Sequence, residues 1–162
     1  MAEQTSGAIP GGNGAAEHQL IVNAQYVKDL SFENPRAPHS LLQQKEAPEV
    51  QLGVDVKAQS LGQDVFEVTL TVNASATTGG ESVFVAELAY AAVVTVRNTP
   101  QELLAVLLLV ETPRLLFPFA RNIIANATRD GGFPPLLLHP VDFAELLRRQ
   151  QAGQPTQGMA TA

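Results

Sequence analysis

The sequence predicts an α+β fold: a four-stranded antiparallel sheet with one face covered by C-terminal helices. Three observations predict it. Four segments before residue 98 alternate apolar and polar side chains with period two, the mark of strands that keep one face wet. After Arg97 the period lengthens to three or four residues, as in helices that bury a stripe. The strands all come first and the helices after, an order that builds layers and not a wound parallel sheet. At 162 residues the chain suits one domain.

The first strand runs roughly from Gln19 to Glu33. Its alternation is expected to turn Tyr26, Leu30 and Phe32 to the core and Asp29, Ser31 and Glu33 away from it. It stops at Asn34-Pro35-Arg36-Ala37-Pro38. The connection to the next strand, about 34–48, has prolines at 35, 38 and 48, is too long for a hairpin turn, and fits a crossover. The second strand faces Val50, Leu52, Val54, Val56 and Ala58 one way, with Glu49, Gln51, Asp55, Lys57 and Gln59 opposite. The third sets Phe66, Val68, Leu70 and Val72 against Glu67, Thr69, Thr71 and Asn73. The fourth, Ser82 to Arg97, places Phe84, Ala86, Leu88, Tyr90, Val94 and Val96 on one face and Val83, Val85 and Glu87 on the other. Leu61-Gly62-Gln63-Asp64 and Thr77-Thr78-Gly79-Gly80 suit the two hairpins.

Thr99-Pro100-Gln101-Glu102 has the form of a capping box with proline at the first helical position. It predicts a short, wholly apolar helix to about Val110. Thr112-Pro113 predicts the start of a second helix with the stripe Leu116, Phe119, Ala120, Ile123, Ile124 and Ala127. Pro118 interrupts that pattern, so the helix either begins there or kinks. Gly131-Gly132 ends it and Pro134-Pro135 enforces an extended linker. Asp142 with Glu145 caps a last helix that buries Phe143, Leu146 and Leu147. Residues 1–18 and 151–162 lack apolar periodicity and read as disordered tails, which leaves 19–150 as the domain.

Several function classes are disfavoured. A net charge of −6 works against nucleic acid and anionic membrane surfaces and permits a basic protein partner. The absence of cysteine rules out disulfides and thiolate chemistry, and fits a cytoplasmic protein. The N-terminus lacks a basic region followed by an apolar run. The longest unbroken apolar run, Leu103 to Val110, falls short of the roughly 20 residues a bilayer needs, so no membrane insertion is expected. His18, His39 and His139 are far apart and have no partners at metal-ligand spacing. Neither a Gly-x-Ser-x-Gly elbow nor a Gly-Lys-Ser/Thr phosphate loop is present. No catalytic residue, cofactor or metal site is expected, and the chain does not read as an enzyme. What remains is apolar surface in excess of what one sheet face needs. It can all pack within the chain, or part can meet copies of the chain or stay open to clients.

The run Tyr26-Val27-Lys28-Asp29-Leu30-Ser31-Phe32-Glu33-Asn34-Pro35-Arg36-Ala37-Pro38 resembles the first-strand signature of the SecB family of bacterial export chaperones. Phe117-Pro118-Phe119-Ala120-Arg121-Asn122, Gly131-Gly132-Phe133-Pro134-Pro135-Leu136 and Pro140-Val141-Asp142-Phe143 match the same family in the same order. The resemblance covers roughly residues 19–150. It implies an ATP-independent chaperone of the bacterial cytoplasm that binds unfolded preproteins in apolar grooves and delivers them to SecA, the export motor. It implies a homotetramer, a dimer of dimers, with the long helix, here about 113–130, between the sheets. Phe119, Ile123 and Ile124 on that helix are then the candidate oligomer interface.

The crossover loop and the segment joining the last two helices border the grooves in similar proteins. They correspond here to Asn34–Pro48 and Gly131–Pro140, with Leu41, Leu42, Phe133 and Leu137 as candidate client contacts. The family's acidic SecA-docking residues carry over to Asp29, Glu33 and Glu87. Periodicity alone also places these on the polar faces of their strands, with Val85 beside Glu87; three acids on a wet sheet face can equally be ordinary solvation. Two features depart from the family pattern. Lys45-Glu46-Ala47-Pro48 lacks the aromatic residue common before the second strand, and the C-terminal tail lacks acids. A relative dedicated to one client, such as a toxin–antitoxin pair, is the main competing expectation. A small-ligand binder is another, disfavoured because the inward strand positions are almost uniformly apolar.

Overall fold

The computed structural model describes residues 17–42 and 46–153; both expected tails lie largely outside the described residues. Four long strands, β1 (Gln19–Glu33), β2 (Glu49–Gly62), β3 (Val65–Thr78) and β4 (Glu81–Arg97), form one antiparallel sheet in the order β1-β4-β3-β2. Consecutive hairpins join β2, β3 and β4. The crossover after β1 carries the chain to the far edge and contains one helical turn, α1 (His39–Leu42). That turn follows Pro35 and Pro38 and closes through the Ser40 amide donating to Arg36 O at 3.0 Å and the Leu41 amide to Pro38 O at 3.0 Å.

The alternation of β2, β3 and β4 is realised as expected. Val68, Leu70, Val72, Leu88 and Val94 are fully buried on one face of the sheet, under Leu116, Ala120 and Ile124. Burial of such side chains contributes roughly 25 cal/mol per Å² of apolar area removed from water. β1 departs from simple alternation. Its pairing with β4 is shifted between Val22 and Ala24 and again between Val27 and Asp29, so Asn23 and Lys28 are extra residues in the ladder. Each inserted residue reverses the facing of the residues C-terminal to it. Tyr26 pairs with Ala91 and therefore stands on the outer face, not on the core face that the sequence pattern predicts. The second bulge restores the expected parity, and Leu30 and Phe32 return to the helix side, opposite Leu88 and Ala86.

After β4 the chain enters α2 (Gln101–Val106), a π-helical segment (Leu107–Glu111) and α3 (Thr112–Asp130) without a break. The two helices expected from the sequence are one. Pro113, which lacks an N–H, sits where the π turn has already loosened the ladder, and the Thr112 hydroxyl donates to Leu107 O at 2.8 Å. The expected capping box does not form. Pro100 is the extended N-cap residue and the Thr99 hydroxyl donates back to Arg97 O at 3.0 Å. α3 runs through Pro118, and the carbonyl that the proline leaves without a helical donor, that of Arg114, belongs to an exposed residue. By length and composition, helix 101–130 could cross a bilayer. Here one of its faces is spent on the sheet.

α3 ends in a Schellman arrangement. Phe133 N donates to Thr128 O at 3.1 Å and Gly132 N to Arg129 O at 3.0 Å, with Gly132 at φ +90°. Gly131 is required for space: a Cβ there would run into the Phe32 ring. An extended segment then leads to α4 (Phe143–Gln151), whose Asp142 carboxylate accepts from Glu145 N at 3.0 Å, as the sequence predicts. That capping bond holds the Asp142 carboxyl below its usual value.

Candidate functional site

Three surfaces arise from this architecture. The first is the outer face of the sheet. Antiparallel register sets Glu33 opposite Val85, Ser31 opposite Glu87 and Asp29 opposite Ala89. Asp29, Glu33 and Glu87 are all exposed, and Val85 is half-buried among them. Directly opposed residues in such a ladder stand about 4.5–5.5 Å apart at Cβ, so the four side chains make one patch. Three carboxylates around a valine attract a basic surface and give it an apolar contact point. β3 completes the patch with the neutral Asn73 and Ser75, the register partners of Glu87 and Val85.

Beside the patch lies a cluster that sequence reasoning did not single out. Glu67 on β3 accepts a hydrogen bond from Tyr26 Oη on one oxygen and from Lys28 Nζ, at 2.6 Å, on the other. The two bonds, Lys28 first, hold the Glu67 carboxyl below the usual glutamate range. The same carboxylate pushes the Tyr26 phenol up to about 12, through the hydrogen bond first and then burial. Tyr26 covers its ladder partner Ala91, which is fully buried although it lies on the outer face. A hollow of about 320 Å³ opens next to this cluster, lined by Lys28, Asp29, Lys57, Gln59, Glu67 and Ala89 among others. A sequence signal for the cluster exists only in hindsight: Glu67 is the single acid among the otherwise neutral outward positions of β3.

The second surface is where the crossover meets the segment after α3. The Asn34 amide donates to Gly131 O at 3.3 Å, and the Ser40 hydroxyl donates to Asn34 Oδ1 at 2.8 Å. Leu41 lies over Gly132, where an added Cβ would stand 3.0 Å from its Cδ2. Leu41 and Leu42 are exposed, at 41% and 76%. Phe133 is not: it is buried against Phe84 and Phe32, with ring centroids at 5.1 and 6.4 Å. It is therefore a core residue and not a free contact. Along the extended segment Leu136 and Leu138 point inward and Leu137 outward. The buried Thr128 hydroxyl accepts the Leu136 amide at 2.9 Å and fixes that phase.

The third surface is the exposed flank of α3. Leu115 and Phe119 are about half exposed there, and Leu103 and Val106 continue the apolar surface onto α2. Phe119 stacks on Tyr90 with centroids 6.2 Å apart. Tyr90 pairs in turn with the exposed Val27 of the edge strand. Ile123 is partly buried, and Ile124 is fully buried against the chain's own sheet. Ile124 is thus corrected from a candidate interface residue to a core residue. Sequence periodicity could not separate the two because 123 and 124 flank the boundary of the stripe. Among the described residues no group of His, Cys, Asp or Glu could hold a metal ion. The three surfaces offer charge and apolar area for recognition.

The family model for the preprotein translocase subunit SecB matches residues 13–154. The protein-export protein SecB of Rhodopseudomonas palustris (strain BisB5) is 53% identical over 152 residues, covering 91% of this chain and 96% of that protein. That of Maricaulis maris is 54% identical over 144 residues, covering 88% and 84%. Among solved structures, a Mycobacterium tuberculosis SecB-like chaperone in complex with an antitoxin peptide superposes with a TM-score of 0.62 at 17% identity, covering 75% of this chain and 90% of that one. That likeness is one of fold. With a matching family model over most of the sequence and relatives more than half identical, the chain belongs to the SecB family of preprotein translocase subunits.

Proposed function

We propose that this protein is a cytoplasmic, ATP-independent chaperone that keeps unfolded preproteins competent for export and passes them to SecA. Membership of the export family supports the general role. The observation that carries the detailed reading is the separation of surfaces. The acidic patch of Asp29, Glu33, Val85 and Glu87 lies on the open outer face of the sheet. The exposed Leu41, Leu42 and Leu137 lie on the loops around the end of α3. One surface suits a folded basic partner; the other suits apolar segments of no fixed sequence. Exposed leucines gain from burying apolar area without reading individual side chains. Phe119, with Leu115 and the part-buried Ile123 beside it, is the proposed contact between copies in a homotetramer, because so large an apolar strip is rarely left to solvent on a monomer.

The test is refolding of a slow-folding secretory precursor without nucleotide. A several-fold excess of this protein is expected to delay it, and Leu42→Asp combined with Leu137→Asp to relieve the delay. An undiminished refolding rate in the presence of the wild type would refute the reading. A chaperone dedicated to one antitoxin is a weaker reading, since the antitoxin-bound chaperone is 17% identical while export proteins exceed 50%.

A further inference from the structure

We propose that Glu67 is the positioning residue of the acidic docking patch: its carboxylate holds Tyr26 and Lys28 together and so fixes the β-bulge that sets Asp29 on the outer face. The inference rests on the docking role proposed for Asp29, Glu33 and Glu87.

Tyr26 stands on the outer face opposite Ala91. Strict alternation from Tyr26 would turn Asp29, Ser31 and Glu33 toward the helices and expose Leu30 and Phe32. The inserted Lys28 prevents this. A bulge has no ladder partner to fix its place and can move along a strand unless side chains hold it. At the far end of β1, Phe32 is held by its stack on Phe84, with centroids 5.7 Å apart, so the parity of Glu33 is secured there. Among the described residues, the only cross-strand side-chain bonds between Tyr26 and Leu30 are those to Glu67, one from the residue before Val27 and one from the bulge residue itself. Glu67, whose own register partner on β4 is Val93, reaches them diagonally from β3, over the small Ala91 and Ala89 that pair with Tyr26 and Asp29. It thus ties the bulge residue to the paired stretch before it, from a strand that the bulge does not displace. Asp29, the next residue, depends most on that hold. Glu67 itself is largely covered, its side chain 15% exposed, and does not need to touch the partner to act.

Charge separates positioning from direct contact. Tyr26→Phe changes no charge, and Lys28→Met makes the patch more negative. By electrostatics alone a basic partner would ignore the first and bind the second more tightly. Positioning predicts that both weaken docking, as does Glu67→Gln. Titration of purified SecA at low ionic strength is the measurement. Each variant is expected to weaken SecA binding by about the loss seen in Asp29→Ala, up to about fivefold for an exposed ion pair. Added to Asp29→Ala, Tyr26→Phe is expected to cost nothing more, because the two act as a unit. Amide exchange across residues 27–30 should quicken in Tyr26→Phe, and retention of an unfolded precursor should stay at the wild-type level.

Tighter docking by Lys28→Met, wild-type docking by Tyr26→Phe, or additive losses in the double variant would each overturn the inference. So would loss of precursor retention in Tyr26→Phe, which would mean that the whole fold loosens. The triple Ala variant of Asp29, Glu33 and Glu87 separates the two levels. If it binds SecA as the wild type does, the docking reading itself fails. If it is weak while Tyr26→Phe is normal, only the role of Glu67 fails.

Discussion

Thr128 shows how much a single buried hydroxyl organises. It is fully buried, donates within α3 toward Ile124 O and Ala125 O, and accepts the amide of Leu136 from the extended segment beyond the helix. Thr128→Val keeps the shape and removes the acceptor, leaving a buried N–H unpaired at a cost of about 1–3 kcal/mol. A lower urea midpoint with faster exchange at the Leu136 amide is expected, and Thr128→Ser should retain most of the stability. The Glu67–Tyr26 pair makes a second residue-level prediction, with the sign set by the two shifts. Glu67 is lowered, so its contribution is present above the ordinary glutamate value of 4.5 and is lost as pH falls through the lower folded value. Tyr26 is raised, so its contribution is present below 10.0 and is lost as pH rises toward about 12. Stability measured against pH should therefore fall at both limbs. In Tyr26→Phe the alkaline loss should shrink, and absorbance titration should then find only the phenol of Tyr90.

At the scale of elements, α3 has one apolar face buried on the sheet and another left half exposed. Ile124→Ala opens a cavity under the sheet and is expected to lower stability by about 2–5 kcal/mol, read by denaturant unfolding. Phe119→Asp replaces a half-exposed ring. It is expected to leave the fold intact and reduce the particle mass seen by light scattering. Unfolding of Phe119→Asp, or an unchanged mass, would count against the interface. This division was only partly legible in the sequence. Periodicity found the helix and its stripe but could not divide it, since it cannot tell a sheet from a second copy as the covering surface, and Ile124 stayed among the interface candidates that the resemblance implied. β2, β3 and β4 were legible because one residue per pleat holds along most of their length, their register shifts at Ser60/Gly62 and Ala76/Thr77 lying near strand ends. β1 was not, because the bulges at Asn23 and Lys28 add residues that no composition marks. The π segment was likewise hidden: Thr112-Pro113 carries a helix-start signal, and only the packed structure joins it to what precedes. The acidic patch was legible since both bulges lie before Asp29, so the run to Glu33 alternates normally.

For the whole molecule, the layered fold covers one face of the sheet with helices and leaves the other open. Client and partner surfaces can then be altered separately. Asp29, Glu33 and Glu87 are exposed and take no part in the core, so the triple Ala variant should unfold like the wild type. Each exposed ion pair contributes about 0.2–1 kcal/mol, so single substitutions should weaken SecA docking modestly and the triple much more. The attraction should also fade with salt, as screening sets in over about 10 Å at 0.1 M ionic strength. Apolar holding of a client has no such dependence. Titrating SecA and an unfolded precursor against wild type and triple variant, at low and high salt, gives the decisive pattern. SecA affinity is expected to fall with salt for the wild type and to be low and nearly salt-independent for the triple variant. Precursor affinity is expected to be the same in all four cases. Loss of both affinities in the triple variant would mean that the sheet face and the leucine-lined loops form one surface, and the division of labour between them would be wrong.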